Sequence, residues 1–137
     1  MEIKIDQRQG KVSVTVLSVS GSVDGSNYQE LIIKGKDLVS SGTSHLLLDL
    51  TNVSFLSSAG LVALHRLALI LRGEDRPVPE SGWEAMQEIS SDLDQGFQKN
   101  FKLLNPQPKV AKSLNMAGFT DFFEIYTDLD TAIASFK

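Results

Sequence analysis

The chain of 137 residues contains no cysteine, which excludes a disulfide framework, thiolate chemistry and any cysteine-built metal site. Nowhere do lysines and arginines cluster with interleaved aromatics, so nucleic-acid binding lacks its electrostatic footprint. Long apolar runs are missing too: the longest, Leu61 to Leu71, holds His65 and Arg66 and is too short to span a bilayer. The opening MEIKIDQRQG alternates charged and apolar side chains and lacks a signal-peptide core. There is no G-x-S-x-G elbow, no P-loop and no internal repeat. What remains, 42% hydrophobic and 22% charged residues, is ordinary for a globular protein and enough for one sizeable core. The expectation is a single domain over residues 1–137, cytoplasmic, without membrane insertion or nucleic acid.

Charge is unevenly spread. The net charge is −4, yet Glu74 to Gln98 carries seven acidic side chains against Arg76 alone, a local −6 that leaves the rest of the chain at +2. Glu74 to Glu80, with Pro77 and Pro79, reads as extended and solvated. Ser81 with Glu84 then forms a capping box, and Trp83, Met86, Ile89, Leu93 and Phe97 recur at steps of three and four. This predicts a short amphipathic helix with an acidic outer face. Its apolar stripe would be buried on the domain itself or on a partner, a second copy in a homodimer included.

The chain is organised around Leu46 to Gly73. Leu46-Leu47-Leu48-Asp49-Leu50 reads as a strand buried on both faces, with a loop at Thr51 to Ser54. From Ala59 to Leu71 nearly every side of the helical wheel is apolar, so a central helix packed on the sheet follows, ended by Gly73. Ser57 and Ser58 stand at its entrance. Either could be an N-cap, accepting from the free N–H groups of the first turn. The same positively polarised helix end would also tolerate a phosphate added to a serine. Spacing alone favours the cap.

Upstream, Ile3 and Ile5 alternate with polar residues as in an edge strand, and Gln9-Gly10-Lys11 is a hairpin turn into Val12, Val14 and Val16. The alternation slips at Val16-Leu17, as a bulge or burial of both faces would produce. Gly21-Ser22-Val23-Asp24 leads to a capping box, Ser26/Gln29 or Asn27/Glu30, and a helix with Tyr28, Leu31, Ile32, Leu38 and Val39 inward. His45 reads as an exposed loop residue. Downstream, Phe101 to Leu104 is a strand, Pro108 opens a helix carrying Val110 and Leu114, Phe122 to Tyr126 is a strand, and Thr127 with Asp130 starts the last helix. The order is β-β-α-β-α-β-α-β-α with the Glu74–Gln98 helix counted apart. It predicts an α/β fold, a mixed four- to five-stranded sheet with helices packed on one face and the N-terminal strand at an edge.

Asp49-Leu50-Thr51-Asn52-Val53-Ser54-Phe55-Leu56-Ser57-Ser58-Ala59-Gly60-Leu61 resembles the signature loop of STAS domains, specifically the bacterial anti-sigma factor antagonists. Gly21 to Asp24, and the run from Pro108 through Gly118-Phe119, resemble further parts of that family. The resemblance implies that Ser58 is the phosphoacceptor, that Asp24 lies beside it, and that Asp24, Ser57, Ser58, Ala59 and Gly60 form the partner-binding surface. Asp24 reads equally well as an ordinary turn aspartate. Ser57 departs from the family's usual Asp. Members pass from the central helix to the next strand in a few residues, so Glu74–Gln98 is an insertion particular to this chain. It leaves the central helix roughly 20 Å from Ser58, and so should begin well away from that serine unless it folds back.

An enzyme reading has little support. His65 lies about two turns, roughly 10 Å, beyond Ser58 and cannot act as its base, and it reads as a helix-surface or boundary residue. Asp92-Leu93-Asp94 lacks further oxygen ligands at loop spacing and reads as a solvated helix face, not a metal site. No cofactor is expected. The resemblance implies a protein-binding module that, with Ser58 unphosphorylated, binds an anti-sigma factor serine kinase and frees a sigma factor, a phosphatase restoring the unphosphorylated form. The alternative is a constitutive STAS accessory subunit of a transporter or sensory scaffold, with Ser58 only a cap.

Overall fold

The computed structural model describes residues 1–74, 76–77 and 79–137, with backbone alone at Asp94. Of the acidic segment, Asp75, Val78 and the Asp94 side chain therefore lie outside the described residues. Five strands form one mixed sheet in the order β1-β2-β3-β4-β5: β1 (Glu2–Gln9), β2 (Ser13–Val23), β3 (Leu46–Leu56), β4 (Phe101–Leu104) and β5 (Ile125–Tyr126). β1 runs antiparallel to β2 at one edge, and β2 to β5 are mutually parallel. The helices are α1 (Tyr28–Ser40), α2 (Ser58–Leu71), α3 (Gly82–Asp92), α4 (Pro108–Met116) and α5 (Leu129–Ser135).

The Leu46 to Leu50 run is the buried strand its composition requires. Leu46, Leu48 and Leu50 face the core beneath α1 to α4, and Leu47 faces the opposite side. β3 then continues through Thr51 to Ser54, where a loop is expected. Val53 and Leu56 are fully buried there, and the ladder with β2 holds, with register shifts, to Val23 and Leu56, so backbone pairing carries the strand on past the apolar run. The phase slip in β2 has both expected origins: Val14 to Leu17 are buried on both faces, and the register shifts lie just beyond, between Ser18 and Ser22.

The layer α1 to α4 covers one face, as the pattern predicts, while α5 covers the other. Val14, Val16, Leu47 and Leu104 would otherwise leave an apolar patch there, and Ala132, Ile133 and Phe136 bury it. Lys102 assists by reaching across, its Nζ donating to the Ser135 carbonyl at 3.1 Å and pairing with Glu124 at 2.9 Å. Against Phe136 the His45 ring packs edge-on and half-buried, not exposed. Phe122 and Phe123 are core residues, not strand residues; they stack with Phe119 and shorten β5 to Ile125–Tyr126. Asp128, not Thr127, caps α5.

α2 ends in a Schellman motif: the N–H of Gly73 reaches Ile70 O, that of Glu74 reaches Leu69 O, and Gly73 holds φ +84°. The chain then doubles back, so that α3 begins at the same end of α2 as Ser58 and runs beside it in the same direction. Gly82, Ala85 and Met86 lie by Ser58, Ala59 and Val62, and further along Glu88 meets Arg66, Asp92 meets His65 and Gln95 meets Arg72. The Glu74–Gln98 segment thus leaves far from Ser58 and returns to it.

Candidate functional site

The C-terminal end of β2 and the N-terminus of α2 meet at one point. The Val23 carbonyl accepts the Ser57 N–H at 3.0 Å, which fixes where α2 begins. A Cβ at Gly60 would stand 2.9 Å from that same carbonyl and 2.5 Å from Leu56 Cδ1, so only glycine lets α2 approach the sheet this closely. Ser57 is the N-cap, its Oγ accepting from Gly60 N–H at 3.3 Å. Ser58, the first residue of α2, is exposed. Ala59 is half-buried and Gly60 buried. The capping duty falls on Ser57, and Ser58 is turned outward at a helix end whose polarity favours negative charge.

Asp24 follows Val23 directly and is brought to the same corner. Its Oδ1 accepts from Ser26 N–H at 2.9 Å and Ser26 Oγ at 2.6 Å. These bonds, the hydroxyl foremost, hold the carboxyl below its ordinary value. Asn27 N-caps α1 without a side-chain cap bond; its side chain instead ties Asp24 N–H to Ser22 O. The expected capping boxes are therefore replaced by an aspartate turn. On β3, Asp49 accepts from the N–H and hydroxyl of Thr51, so these two signature residues shape the strand leading to the serines.

The second wall is α3. Ala85 and Ile89 are its buried apolar residues, Met86 and Leu93 are half-buried, and Trp83 and Phe97 point out, 71% and 56% exposed. The predicted stripe is thus rotated, because α3 turns two carboxylates inward. His65 is 1% exposed, contrary to the surface position expected of it, and its Nε2–H donates to Asp92 Oδ2 at 2.6 Å. Arg76 donates to the same oxygen at 3.1 Å and to Glu88 at 3.1 Å, and buried Arg66 donates to Glu88 at 2.9 Å. Nε and Nη1 of Arg66 have no hydrogen-bond partner among the described residues. Asp92 is therefore a structural anchor, not a solvated acid. Burial raises the Asp92 and Glu88 carboxyls, but the bonds from His65, Arg66 and Arg76 outweigh it and hold both low. Burial, opposed by Asp92, lowers His65. The sequence carries only half of this pairing: two polar residues inside an apolar helix need partners, but nothing local singles out Glu88 and Asp92, 22 and 27 residues on.

Between the walls lies an open groove of about 280 Å³ lined by Tyr28, Ser58, Ala59, Val62, Ala85 and Met86 among others. Among the described residues no group of histidines and carboxylates could hold a metal ion, and no helix is long and apolar enough to cross a membrane.

Comparison with known proteins agrees with the fold. An anti-sigma factor antagonist from Mycobacterium paratuberculosis superposes with a TM-score of 0.69 at 21% identity, over 98% of this chain and 92% of that one. The antagonist SpoIIAA in its unphosphorylated form gives 0.60 at 16% identity, over 96% and 93%. The phosphorylated form of Bacillus SpoIIAA gives 0.54 at 16%, over 96% of both chains. At these identities the likeness is one of fold. No curated protein sequence matches the chain. The family model described as Mlab, STAS domain, matches residues 7–88, which include β2, the Asp24 turn, β3, the serine pair and all of α2, and the chain belongs to the STAS domain family.

Proposed function

We propose that this STAS domain is an anti-sigma factor antagonist, a binding module that docks on an anti-sigma factor kinase through the corner built by Asp24, Ser57, Ser58, Ala59 and Gly60, and that is released when Ser58 is phosphorylated. The observation that carries this reading is the division of labour between the serines: Ser57 caps α2 while Ser58, one residue on, is exposed. A phosphoserine there would bring close to two negative charges into the contact surface, where desolvation opposes docking. A phosphatase would reverse the change. The test is phosphate incorporation from ATP by the cognate anti-sigma factor, with wild type and Ser58→Ala. Incorporation lost in Ser58→Ala, together with persistent binding, supports the switch; equal incorporation in both sinks it. Ser58→Asp adds only one charge and should weaken binding in part.

A second reading, a constitutive STAS subunit of a transporter or sensory scaffold, has one observation in its favour. The matching family model is described by Mlab and not as an antagonist, and Ser57 stands where the antagonist signature has an acid. Absence of phosphate on Ser58 in protein purified from its native cell would support it.

A further inference from the structure

The geometry points to the first turn of α3 as the second wall of the docking surface at Ser58, forming with α1 and α2 a groove for an apolar side chain flanked by lysine or arginine on a protein partner. This rests on the reading of Ser58 as the docking corner and adds to it the segment between α2 and β4.

The groove is sized for a side chain. At about 280 Å³ and open to solvent, it falls just below the small-molecule range of roughly 300–1,000 Å³. Its floor is apolar, from Val62, Ala85 and Met86 with the Tyr28 ring. Apolar surface also continues outward: Met86 lines both this groove and the shallow concavity beside Trp83, and Trp83 is 71% exposed. An exposed tryptophan joined to a side-chain-sized recess is the composition of a binding hot spot.

Charge sets the chemistry of the occupant. Glu80 lines the groove and Glu84 stands in the first turn of α3 just beyond it, both exposed. No lysine or arginine is among the described lining residues. The carboxylates deeper along α3, Glu88 and Asp92, are already paired with Arg66, Arg76 and His65. A basic rim on the partner therefore complements this mouth. A phosphate on Ser58 would occupy the anchor's seat among like charges. Seated anchors outweigh exposed rim pairs in binding, so the lost anchor decides the outcome even against a basic partner.

Trp83 is the chain's single tryptophan and lines the concavity that shares Met86 with the groove, so its emission reports on a peptide that spans the two. The probe is a synthetic peptide of alternating leucine and arginine, with a leucine–glutamate peptide as control. Expected are a blue shift of Trp83 emission with the arginine peptide alone, a midpoint raised at least tenfold in Glu80→Lys/Glu84→Lys, and loss of the shift in Met86→Glu. The glutamate sites are exposed, so the double variant folds, which circular dichroism checks. No shift at millimolar peptide, equal midpoints in wild type and the double variant, or a shift produced by protein concentration alone, the mark of a second copy in the groove, would each overturn the proposal. The kinase assay separates the two readings. Ser58 phosphorylated and bound equally in wild type and the double variant leaves the switch and removes the groove, whereas peptide binding in a protein that no anti-sigma kinase modifies leaves the groove and removes the switch.

Discussion

The two flanks of α2 are held by different forces. Toward the sheet and α1 it buries Ala63, Leu64, Leu67 and Ala68 without solvent exposure, and α1 comes close enough that Gly35 packs directly on Leu67. Toward α3 it presents His65 and Arg66, equally buried, against Asp92 and Glu88. Apolar packing is nondirectional and scales with area, so the first flank resists small displacements through many weak contacts. The second is directional: each ion or hydrogen-bond partner removed leaves another buried and unsatisfied. The proposed docking corner sits at the end of a helix fixed on one side by packing and on the other by a few polar contacts, so its α3 wall should be the part that opens first.

The largest effect that sharpens this contrast is expected from Leu64→Ala. Truncating a fully buried leucine should cost about 2–5 kcal/mol, read as a lowered urea midpoint, with α1, α2 and the sheet lost in one transition. If α3 alone loosened, the two flanks would not be distinct. On the other flank, Asp92→Ala removes the acceptor of both His65 and Arg76 and should cost about 1–3 kcal/mol. Its signature is local: by hydrogen exchange the amides of α3 should speed up more than those of α2. Asp92→Asn, which keeps an acceptor, should lose less. Uniform acceleration across both helices would erase the distinction.

The same contrast explains what could be read in advance. The apolar flank was legible: the Leu46 to Leu50 strand, the central helix, its glycine end and the strand order all follow from hydrophobic periodicity, which is what burial selects. The serines were legible as a helix entrance from spacing, and the resemblance, which makes Ser58 the accessible serine, left the cap to Ser57, where the structure has it. The continuation of β3 through Thr51 to Ser54 was hidden, since only Val53 and Leu56 there bury apolar surface. The polar flank was hidden for a different reason. His65 and Arg66 belong on a helix surface by type, and Glu88 and Asp92 on an outer face. Only pairing across 22 and 27 residues reverses both assignments, and no local pattern encodes it. The rotation of α3 that exposes Trp83, and the return of its first turn to Ser58, follow from that pairing and were unreadable with it.

Acid should dissect the polar flank with the smallest but most specific effect. Burial holds His65 below the ordinary histidine value of 6.5 despite the opposing Asp92 carboxylate, so it is neutral in the fold and donates Nε2–H to Asp92. The unfolded chain takes up that proton more readily, hence stability is complete above pH 6.5 and declines as pH falls below it toward the folded value. Asp92 and Glu88 are held below their ordinary values of 3.8 and 4.5. Their contribution is present above those values and is lost only as pH falls further. Between pH 6.5 and 4.5, then, the decline belongs to His65 among the groups that meet in this network. His65→Gln retains a donor for Asp92 but cannot titrate. Urea midpoints measured across this window should fall in the wild type and stay flatter in His65→Gln, with α3 amides losing protection, relative to their intrinsic exchange rates, in acid only in the wild type. Parallel slopes in the two proteins would show that this histidine does not couple the seating of α3 to pH, and would leave Arg66 with Glu88 as the contact that holds the second wall.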